Sequence, residues 1–325
     1  MQRTIEILGE EFEVLDVKEK MTVPDCFVLK NKIGSAHGEA KFYVGQRNDV
    51  SYKFFDRLGD NCFFLKSDIL DYLQAVKEEY QHPQQPYRKT SELPNDWKEY
   101  SEKANSISEE KLPFSMEPQS QIKGQRFYLN SKDSIYKFIR EISLPNITYL
   151  ASLKIKDATG KVFYYFRLFV DYFGEEEHPT IIKEEIKDIQ EDNTIADEEK
   201  KTLVRARVGQ GKYRKALLDL CPFCPITMIS EDRILIASHI KPWVDSTNQE
   251  KIDPLNGFMF TPTFDFLFDK GYISFNDDKT ILICSWLSNM TLSKLNISPG
   301  KKYPQLPIEG REEYLEYHRK NIFKK

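Results

Sequence analysis

Residues 234–275 read ILIASHIKPWVDSTNQEKIDPLNGFMFTPTFDFLFDKGYISF, and their pattern predicts the architecture of the C-terminal part of the chain. A β-rich run ends in His239 at a proline turn, where a side chain can point into a cleft. Asn256 stands in an Asn-Gly turn signal, and a second extended run follows it. A short helix, DFLFDKG, then closes at Gly271, because glycine readily takes the left-handed conformation after a helix. If the two strands pair, this order of strand, loop, strand and helix brings His239, Asn256 and Asp265 together.

These three side chains are suited to phosphodiester hydrolysis. A histidine can act as general base near neutral pH, and the carboxylate of Asp265 offers a hard oxygen ligand to Mg²⁺. Asn256 can hold a loop or orient the imidazole. Activation of a water molecule beside one divalent ion is the minimum apparatus for this reaction. The alternative is a structural histidine beside an ordinary hairpin turn, and the ordered set of three residues favours the catalytic interpretation.

At this point the sequence resembles a known family. The motifs SHIKPW at 238–243, NG at 256–257 and FDFLFDKG at 264–271 are similar to the HNH nucleases, and specifically to the restriction-endonuclease branch. RVGQGKYR at 207–214 resembles the lead-in of that branch, and residues 314–323 resemble its C-terminal helix. The resemblance covers about 202–325 and does not extend to 1–200. It implies a ββα-metal nuclease domain over 202–325.

The resemblance also implies roles for individual residues. His239 matches the general base that deprotonates the attacking water, and Asn256 matches the asparagine that steadies the loop of the motif. Asp265 matches the third position, which binds the metal. The residue before the base is often an aspartate that ligates the metal, and here it is Ser238, whose hydroxyl is a weaker ligand. Mg²⁺ or Mn²⁺ is the implied cofactor, and the implied products carry 5′-phosphate and 3′-hydroxyl ends.

Four further residues are predicted, from the resemblance, to contact DNA phosphates. Arg207, Gln210 and Arg214 lie on a predicted helix before the motif, and Lys241 lies beside the catalytic histidine. A solvated helix face is an equal alternative for the first three, and a solvated lysine is an equal alternative for Lys241. Trp243 is predicted to pack under the loop.

The cysteines give little support to structural zinc. Cys221 and Cys224 form a CxxC pair, but a structural zinc site needs four ligands, usually two such pairs. Cys284 and His318 are possible additional ligands without a second CxxC pair. Small buried thiols are therefore expected. Five cysteines in 325 residues are odd in number and sparse, which indicates a reducing compartment, and the cytoplasm is predicted.

The N-terminal part, 1–172, is predicted to be one α+β domain that recognises DNA. Residues 147–173 read as a β-hairpin around the turn DATG. Residues 81–123 are polar, contain several prolines and are expected to be a long loop or linker with little helix beyond 95–111. Three segments interleave basic and aromatic residues, at 41–43, 52–57 and 164–167. Such side chains can line a groove that follows phosphates and stacks bases, or they can belong to the core of a sheet.

Net charge differs sharply between segments of the chain. The whole sequence carries −4. Residues 171–200 hold 12 acidic and 3 basic residues, residues 201–325 have a net charge of +5, and residues 1–170 are neutral. The acidic segment, 173–201, is predicted to be a linker between the domains. It is interpreted either as a solvated helical connection or as a hinge that keeps a basic domain away from wrong partners.

The sequence as a whole therefore predicts an α+β, two-domain, metal-dependent DNA endonuclease of the type II-like restriction class. A modification-dependent choice of site is an open alternative within that class. Its partner is double-stranded DNA. A homodimer or two sequential nicks would be needed to break both strands. No membrane segment is expected. Two alternatives remain open: a DNA-binding protein with a degenerate HNH domain, and an effector nuclease in a larger defence system whose N-terminal domain binds protein.

Overall fold

The computed structural model describes ten stretches of the chain: residues 3–22, 42–46, 53–56, 59–85, 87, 90–120, 126–144, 147–170, 179–207 and 212–325. The chain divides into two compact units, Met1–Phe173 and Gly174–Lys325. Both units mix helices and strands, as the predicted α+β class requires.

The first unit is built on a mixed sheet of eight strands. Their order across the sheet is β1-β2-β7-β8-β4-β5-β6-β3. Strands β4 and β8 pair in parallel, and the other neighbours pair antiparallel. The bounds are β1 Arg3–Ile7, β2 Glu10–Thr22, β3 Phe42–Gln46, β4 Gly59–Leu65, β5 Lys111–Ser120, β6 Arg126–Asn130, β7 Thr148–Lys156 and β8 Val162–Val170.

The helices of the first unit pack against this sheet and against one another. They are α1 Lys66–Ala75, α2 Lys77–Gln81, α3 Leu93–Ser106 and α4 Ser134–Ile142. Aromatic rings dominate the core beneath them: Phe64 stacks on Phe114 with ring centroids 5.1 Å apart, and Phe166 lies 5.5 Å from Phe114. Rings of this size bury large apolar areas, which stabilises the packing of helices on the sheet.

Two predictions for this unit have clear outcomes. The hairpin predicted over 147–173 is confirmed, because β7 and β8 pair in continuous antiparallel register. Asp157 stabilises its turn by accepting hydrogen bonds from Thr159 and Lys161. The loop predicted over 81–123 is contradicted by strand β5, Lys111–Ser120, whereas helix α3, Leu93–Ser106, overlaps the helix allowed there at 95–111.

The basic and aromatic segments contribute core residues in the part that the structure describes. Tyr164 and Phe166 are fully buried, and Tyr165 is 3% exposed. Arg167 pairs with Asp68 at 2.9 Å. These rings are packed inside the protein and cannot stack on bases. Residues 41, 52 and 57 of the other two segments lie outside the described residues.

The second unit starts with helices, and two pairs of strands and further helices follow them. Its helices are α5 Pro179–Glu191, α6 Asp197–Arg207, α7 Lys212–Leu220, α8 Pro262–Asp269, α9 Asn289–Leu295 and α10 Glu312–Asn321. Its strands are β9 Ile236–His239, β10 Gly257–Phe260, β11 Ile273–Phe275 and β12 Ile281–Ile283, which form two antiparallel pairs, β9 with β10 and β11 with β12. A cluster of phenylalanine rings fills the core between β10, α8 and β11.

In its described part, residues 179–201, the acidic segment is mostly helical and belongs to the second unit. Helices α5 and α6 pack on each other, and α6 also contacts the short turn Glu250–Ile252. The division predicted from the sequence, into a recognition domain at 1–172, a linker at 173–201 and a nuclease domain at 202–325, stays a prediction. Within the described residues, no helix is both long enough and apolar enough to cross a membrane.

Candidate active site

A strand pair followed by a helix forms the centre of the second unit. Strand β9 pairs antiparallel with β10, so that His239 lies opposite Gly257, and α8 follows β10 directly. Glycine is required at position 257, because a Cβ atom there would lie 2.2 Å from the hydroxyl of Tyr213 and 3.0 Å from the backbone oxygen of Ser238. This close packing fixes the position of the strand that faces His239.

His239 is held on several sides by side chains and backbone. Its ring stacks on Tyr213, with centroids 4.4 Å apart and planes 6° from parallel. Trp243 meets the ring edge-on at 5.8 Å. Nε2 lies 3.0 Å from the backbone oxygen of Lys251. Because a carbonyl only accepts hydrogen bonds, Nε2 carries the proton in the neutral ring, and the lone pair resides on Nδ1.

The surroundings also keep the imidazole neutral. Burial lowers the pKa of His239 to about 4, and the carbonyl of Lys251 acts in the opposite direction. The positive charges of Arg207 and Lys251 lower the pKa further. A neutral imidazole has its lone pair on Nδ1, as a general base must, but the lowered pKa also makes it a weaker base, since general-base catalysis is most efficient when the pKa lies near the working pH.

Asn256 is fully buried and fastens the loop between the two strands. Its Oδ1 accepts a hydrogen bond from the backbone N–H of Lys241 at 2.8 Å. Its Nδ2 donates to the backbone oxygens of Lys241 and Glu250 and to Ser246 Oγ, at 3.1–3.3 Å. The amide therefore joins the start and the end of the loop that supplies both Trp243 and the Lys251 carbonyl.

Asp265 and Ser238 form a second, adjacent polar group. Asp265 lies in the first turn of α8 and is 6% exposed, and Ser238 is 4% exposed. Burial raises the pKa of Asp265 to about 6, a hydrogen bond from Ser238 lowers it, and the charge of Asp269 raises it. Among the described residues, no hydrogen bond or ion pair links Asp265 directly to His239. The connection between them runs through Ser238, the neighbour of His239 on β9.

The donor set of Asp265 and Ser238 fits a hard divalent cation. In the described part of the chain, no hydrogen-bond partner reaches Asp265 Oδ1, although this atom is buried. A buried carboxylate oxygen without a partner is costly unless a proton or a cation satisfies it. The described residues contain no group of three or more His, Cys, Asp or Glu side chains that could hold a metal. Water and substrate phosphate would therefore complete the coordination, as Mg²⁺ commonly allows.

The predicted phosphate contacts are largely engaged within the protein. Arg207 Nε pairs with Glu185 at 2.7 Å, and its side chain is 6% exposed. Arg214 donates to the backbone oxygens of Leu235 and Asp232. Lys241 Nζ pairs with both carboxylate oxygens of Glu250 at 2.8–2.9 Å. Gln210 lies outside the described residues.

Two residues contribute to the site without having been predicted. Tyr213 stacks on His239 and donates a hydrogen bond to the backbone oxygen of Asn256 at 3.1 Å. Arg311 is 3% exposed and donates from Nε to the backbone oxygen of Gly257 at 3.0 Å. Tyr213 lies inside the motif at 207–214, so the sequence contained a signal that could have identified it as a residue of the site. Arg311 precedes α10 without any motif, so its role depends on tertiary structure alone.

The CxxC pair lies in the core of the second unit, where Cys224 Sγ is 4.0 Å from Thr261 Oγ1, just before α8. Cys221 and Cys224 are buried free thiols, as is Cys284. Cys221 Sγ donates to the backbone oxygen of Phe223, and burial raises the pKa of this thiol.

The arrangement of two antiparallel strands, a helix, a neutral histidine and a buried aspartate is that of a ββα-type nuclease site. In a comparison with protein families, residues 224–276 match the HNH endonuclease family model HNH_2. The C-terminal region of the chain therefore contains an HNH endonuclease domain. A comparison with curated proteins found no match.

Proposed function

We propose that this chain is a metal-dependent DNA endonuclease in which His239 acts as the general base. The observation that carries the proposal is the state of the imidazole. Its Nε2 proton is donated to the Lys251 carbonyl, which leaves the lone pair on Nδ1, where it can accept a proton from water. This tautomer supports the proposal, because the basic nitrogen is directed away from the carbonyl that holds the ring.

The proposed reaction is the hydrolysis of one phosphodiester bond. His239 Nδ1 takes a proton from a water molecule, and the resulting hydroxide attacks phosphorus. The bond to the 3′-oxygen breaks, and a proton from solvent completes the leaving group, giving 5′-phosphate and 3′-hydroxyl ends. Asn256 keeps the Lys251 carbonyl in place behind the imidazole throughout.

Asp265 and Ser238 would hold the divalent cation, with Mg²⁺ or Mn²⁺ as the candidates. When bound, such an ion supplies electrostatic stabilisation of the charge that develops on phosphate oxygens. The buried and unpartnered Oδ1 of Asp265 supports this assignment. The Ser238 hydroxyl is already engaged with the same carboxylate, so it orients Asp265 and adds little affinity of its own.

The first unit is proposed to recognise DNA, as in a restriction enzyme of the type II-like class, with recognition of a modified base as the alternative to recognition of sequence alone. The support is indirect: the family match covers residues 224–276, within the second unit, and the motif carries little sequence information. One active site cuts one strand, so a homodimer or two sequential nicks would break the duplex.

Replacement of His239 by alanine tests the central proposal. We expect H239A to lose nicking of supercoiled plasmid in Mg²⁺ or Mn²⁺ while retaining binding to DNA in a gel shift. Cleavage by this variant at the wild-type rate would contradict the role of His239. Absence of cleavage by the wild-type protein with either ion would favour a degenerate nuclease domain.

Sequencing of the cleavage ends tests the finer assignment. Cleavage of methylated and unmethylated DNA would show whether the cuts share a sequence and whether a modified base is required. Cuts at one sequence would support the restriction class. Cuts without any preference, together with no gel shift by residues 1–173, would favour an effector nuclease whose first unit binds protein.

A further inference from the structure

Glu185, Arg207, Trp243 and Lys251 form a cluster, here called the Trp243 cluster, that links the acidic segment to the loop beside the catalytic histidine. Arg207 Nε lies 2.7 Å from Glu185 Oε2, which joins the last residue of α6 to the middle of α5. The two side chains are 6% and 22% exposed. An arginine enclosed and paired in this way is suited to a structural task and poorly placed to bind DNA phosphate.

The cluster reaches the imidazole through the indole ring. The guanidinium of Arg207 lies 5.5 Å from the centroid of Trp243, and Lys251 Nζ lies 4.9 Å from it. Both distances are those of cation–π contacts. Trp243 in turn meets His239 edge-on, and the Lys251 carbonyl accepts the Nε2 proton of His239. Two of the contacts that orient the imidazole thus come from residues that the cluster holds.

Glu185 balances the charge within this cluster. Two cations share one ring, and like charges at such a distance repel each other. Burial lowers the pKa of Lys251, Glu185 raises it, and Arg207 lowers it, so the carboxylate acts on both cations. Without Glu185, Arg207 and Lys251 would both be left without this counter-charge beside the imidazole. The loop could relieve the repulsion only by moving Trp243 or Lys251.

We propose that Glu185 is a positioning residue for the general base and acts through Arg207 and Trp243. Helix α5 of the acidic segment then contributes to the geometry of the nuclease site. The inference rests on the proposed function of His239. It assigns to the acidic segment a role that neither its composition nor the HNH motif indicates.

The test compares two variants of the full-length chain. Glu185→Gln removes the counter-charge, and Glu184→Gln removes the same charge from the neighbouring, exposed position of the same helix. We expect E185Q to lower kcat for plasmid nicking in Mg²⁺ at least about tenfold, since small displacements of a catalytic group have effects of this size. KM for DNA, and the gel shift without metal, should stay unchanged. E184Q should behave as the wild type.

A double variant separates charge balance from simple loss of a contact. E185Q/R207M removes the unbalanced cation together with its partner, and methionine keeps an apolar chain on Trp243. We expect this protein to recover part of the kcat that E185Q loses. Additive losses would overturn the charge-balance argument. A tenfold rise in KM for R207M with unchanged kcat would show that Arg207 binds DNA, and would overturn the proposal.

A spectroscopic measurement decides the proposal even if the protein cuts no DNA. Long-range ¹H–¹⁵N spectra of the histidine rings, assigned with H239A, report the tautomer and surroundings of His239. E185Q should shift or broaden the His239 signals and leave those of His318, in the same unit, unchanged. Loss of the His318 signals would indicate misfolding, and Glu185→Asp would then be measured in its place. Identical His239 signals and kcat in E185Q and E184Q would refute the role of Glu185.

Discussion

At the residue scale, the site depends on a few side chains that form hydrogen bonds with buried backbone groups. Asn256 illustrates this best, because its single amide bonds to both ends of the loop between β9 and β10. The sequence motif predicted that an asparagine at this position holds a loop or orients the imidazole. The hydrogen bonds fit the first of these roles and connect it to the second, since the loop carries the carbonyl that receives the His239 proton.

Replacement of Asn256 by alanine should therefore destabilise the second unit and inactivate it. The backbone N–H of Lys241 and the oxygen of Glu250 would lose their partner in a buried region, at a cost of about 3 kcal/mol in the free energy of unfolding. Urea denaturation of N256A measures this loss. Asn321→Ala, at an exposed position on α10, is the matched control and should change the free energy by less than about 0.5 kcal/mol. Equal stability of the two variants would contradict the prediction.

Gly257 allows a sharper test of packing. In G257A the new Cβ atom would lie 2.2 Å from Tyr213 Oη and 2.9 Å from a methyl group of Leu217. We expect a loss of about 3 kcal/mol, the upper part of the range for overpacked cores. G257A/Y213F removes the Tyr213 oxygen that the new Cβ atom would contact. The double variant should therefore lose less free energy of unfolding than the two single variants combined. Additive free energies in urea denaturation would disprove the close contact.

The residues of the site differ in how far the sequence can predict them. His239, Asn256 and Asp265 lie in one ordered motif, which suffices to propose their chemistry. The partners of Arg207, Arg214 and Lys241 come from elsewhere: a helix, a backbone turn and a loop. Spacing along the chain carries no information about such pairs, and a free cation and a paired cation look alike in a sequence.

At the scale of elements, the C-terminal helix is fixed to the nuclease core by a buried histidine. His318 on α10 is 1% exposed, donates from Nε2 to the backbone oxygen of Phe268 and bonds through Nδ1 to Ser274 Oγ. The ring stacks on Phe268 at 3.9 Å. Gly271 contributes to the same contact, because its φ of +68° and the backbone of Ile322 against it leave no room for a Cβ. The predicted helix end at this glycine is confirmed, and the contact with α10 adds a second reason for it.

His318 should make the stability of the protein depend on pH. Burial lowers its pKa to about 4, below the ordinary value of 6.5. The unfolded chain therefore binds more protons between these values, and the stabilisation present above pH 6.5 is lost as pH falls towards 4. The interval corresponds to about 3 kcal/mol. We expect H318Q to lower the stability at pH 7 and to flatten its dependence on pH between 6.5 and 4.

Urea denaturations of the wild type and H318Q over the same pH interval measure this difference. An H318Q slope equal to that of the wild type would show that His318 is not the group that titrates.

Elements with a regular local pattern could be predicted from the sequence, whereas elements that depend on pairing with distant parts of the chain could not. The hairpin β7–β8 has two β-rich runs and a turn, so local sequence suffices. Strand β5, KLPFSMEPQS, contains two prolines that argue against a strand. It is tolerated because, in the part that the structure describes, residues 111–116 pair with β4 and residues 117–120 pair with β6, so each half pairs on one side.

At the scale of the whole molecule, the division into units changes the meaning of the charge pattern. The sequence suggested a basic nuclease domain of +5 preceded by a separate acidic linker. Since α5 and α6 belong to the second unit, that unit holds 25 acidic and 22 basic residues, a net charge of −3. Attraction to DNA must then come from local patches, and observed affinity should fall with salt as phosphate contacts are screened.

Two fragments of the chain test where the nuclease begins. Residues 174–325 include the Trp243 cluster, whereas residues 202–325, the boundaries predicted from sequence, retain Arg207 and Trp243 but lack Glu185 and all of α5. We expect 174–325 to unfold cooperatively and to nick plasmid DNA. The shorter fragment should melt at least about 5 °C lower, as a loss of 1–2 kcal/mol implies for a domain of this size, and should lose its nicking activity.

The boundaries of the two fragments follow from different physical properties of the chain, namely charge and packing. Charge and composition alone place the break where acidic residues end, near position 201. Packing places it where contacts between residues become sparse, near position 174. Equal melting temperature and equal nicking by the two fragments would show that the acidic helices are a dispensable linker. A stable but inactive 202–325 fragment would separate the two effects, because the fold would then survive without α5 while the position of His239 would not.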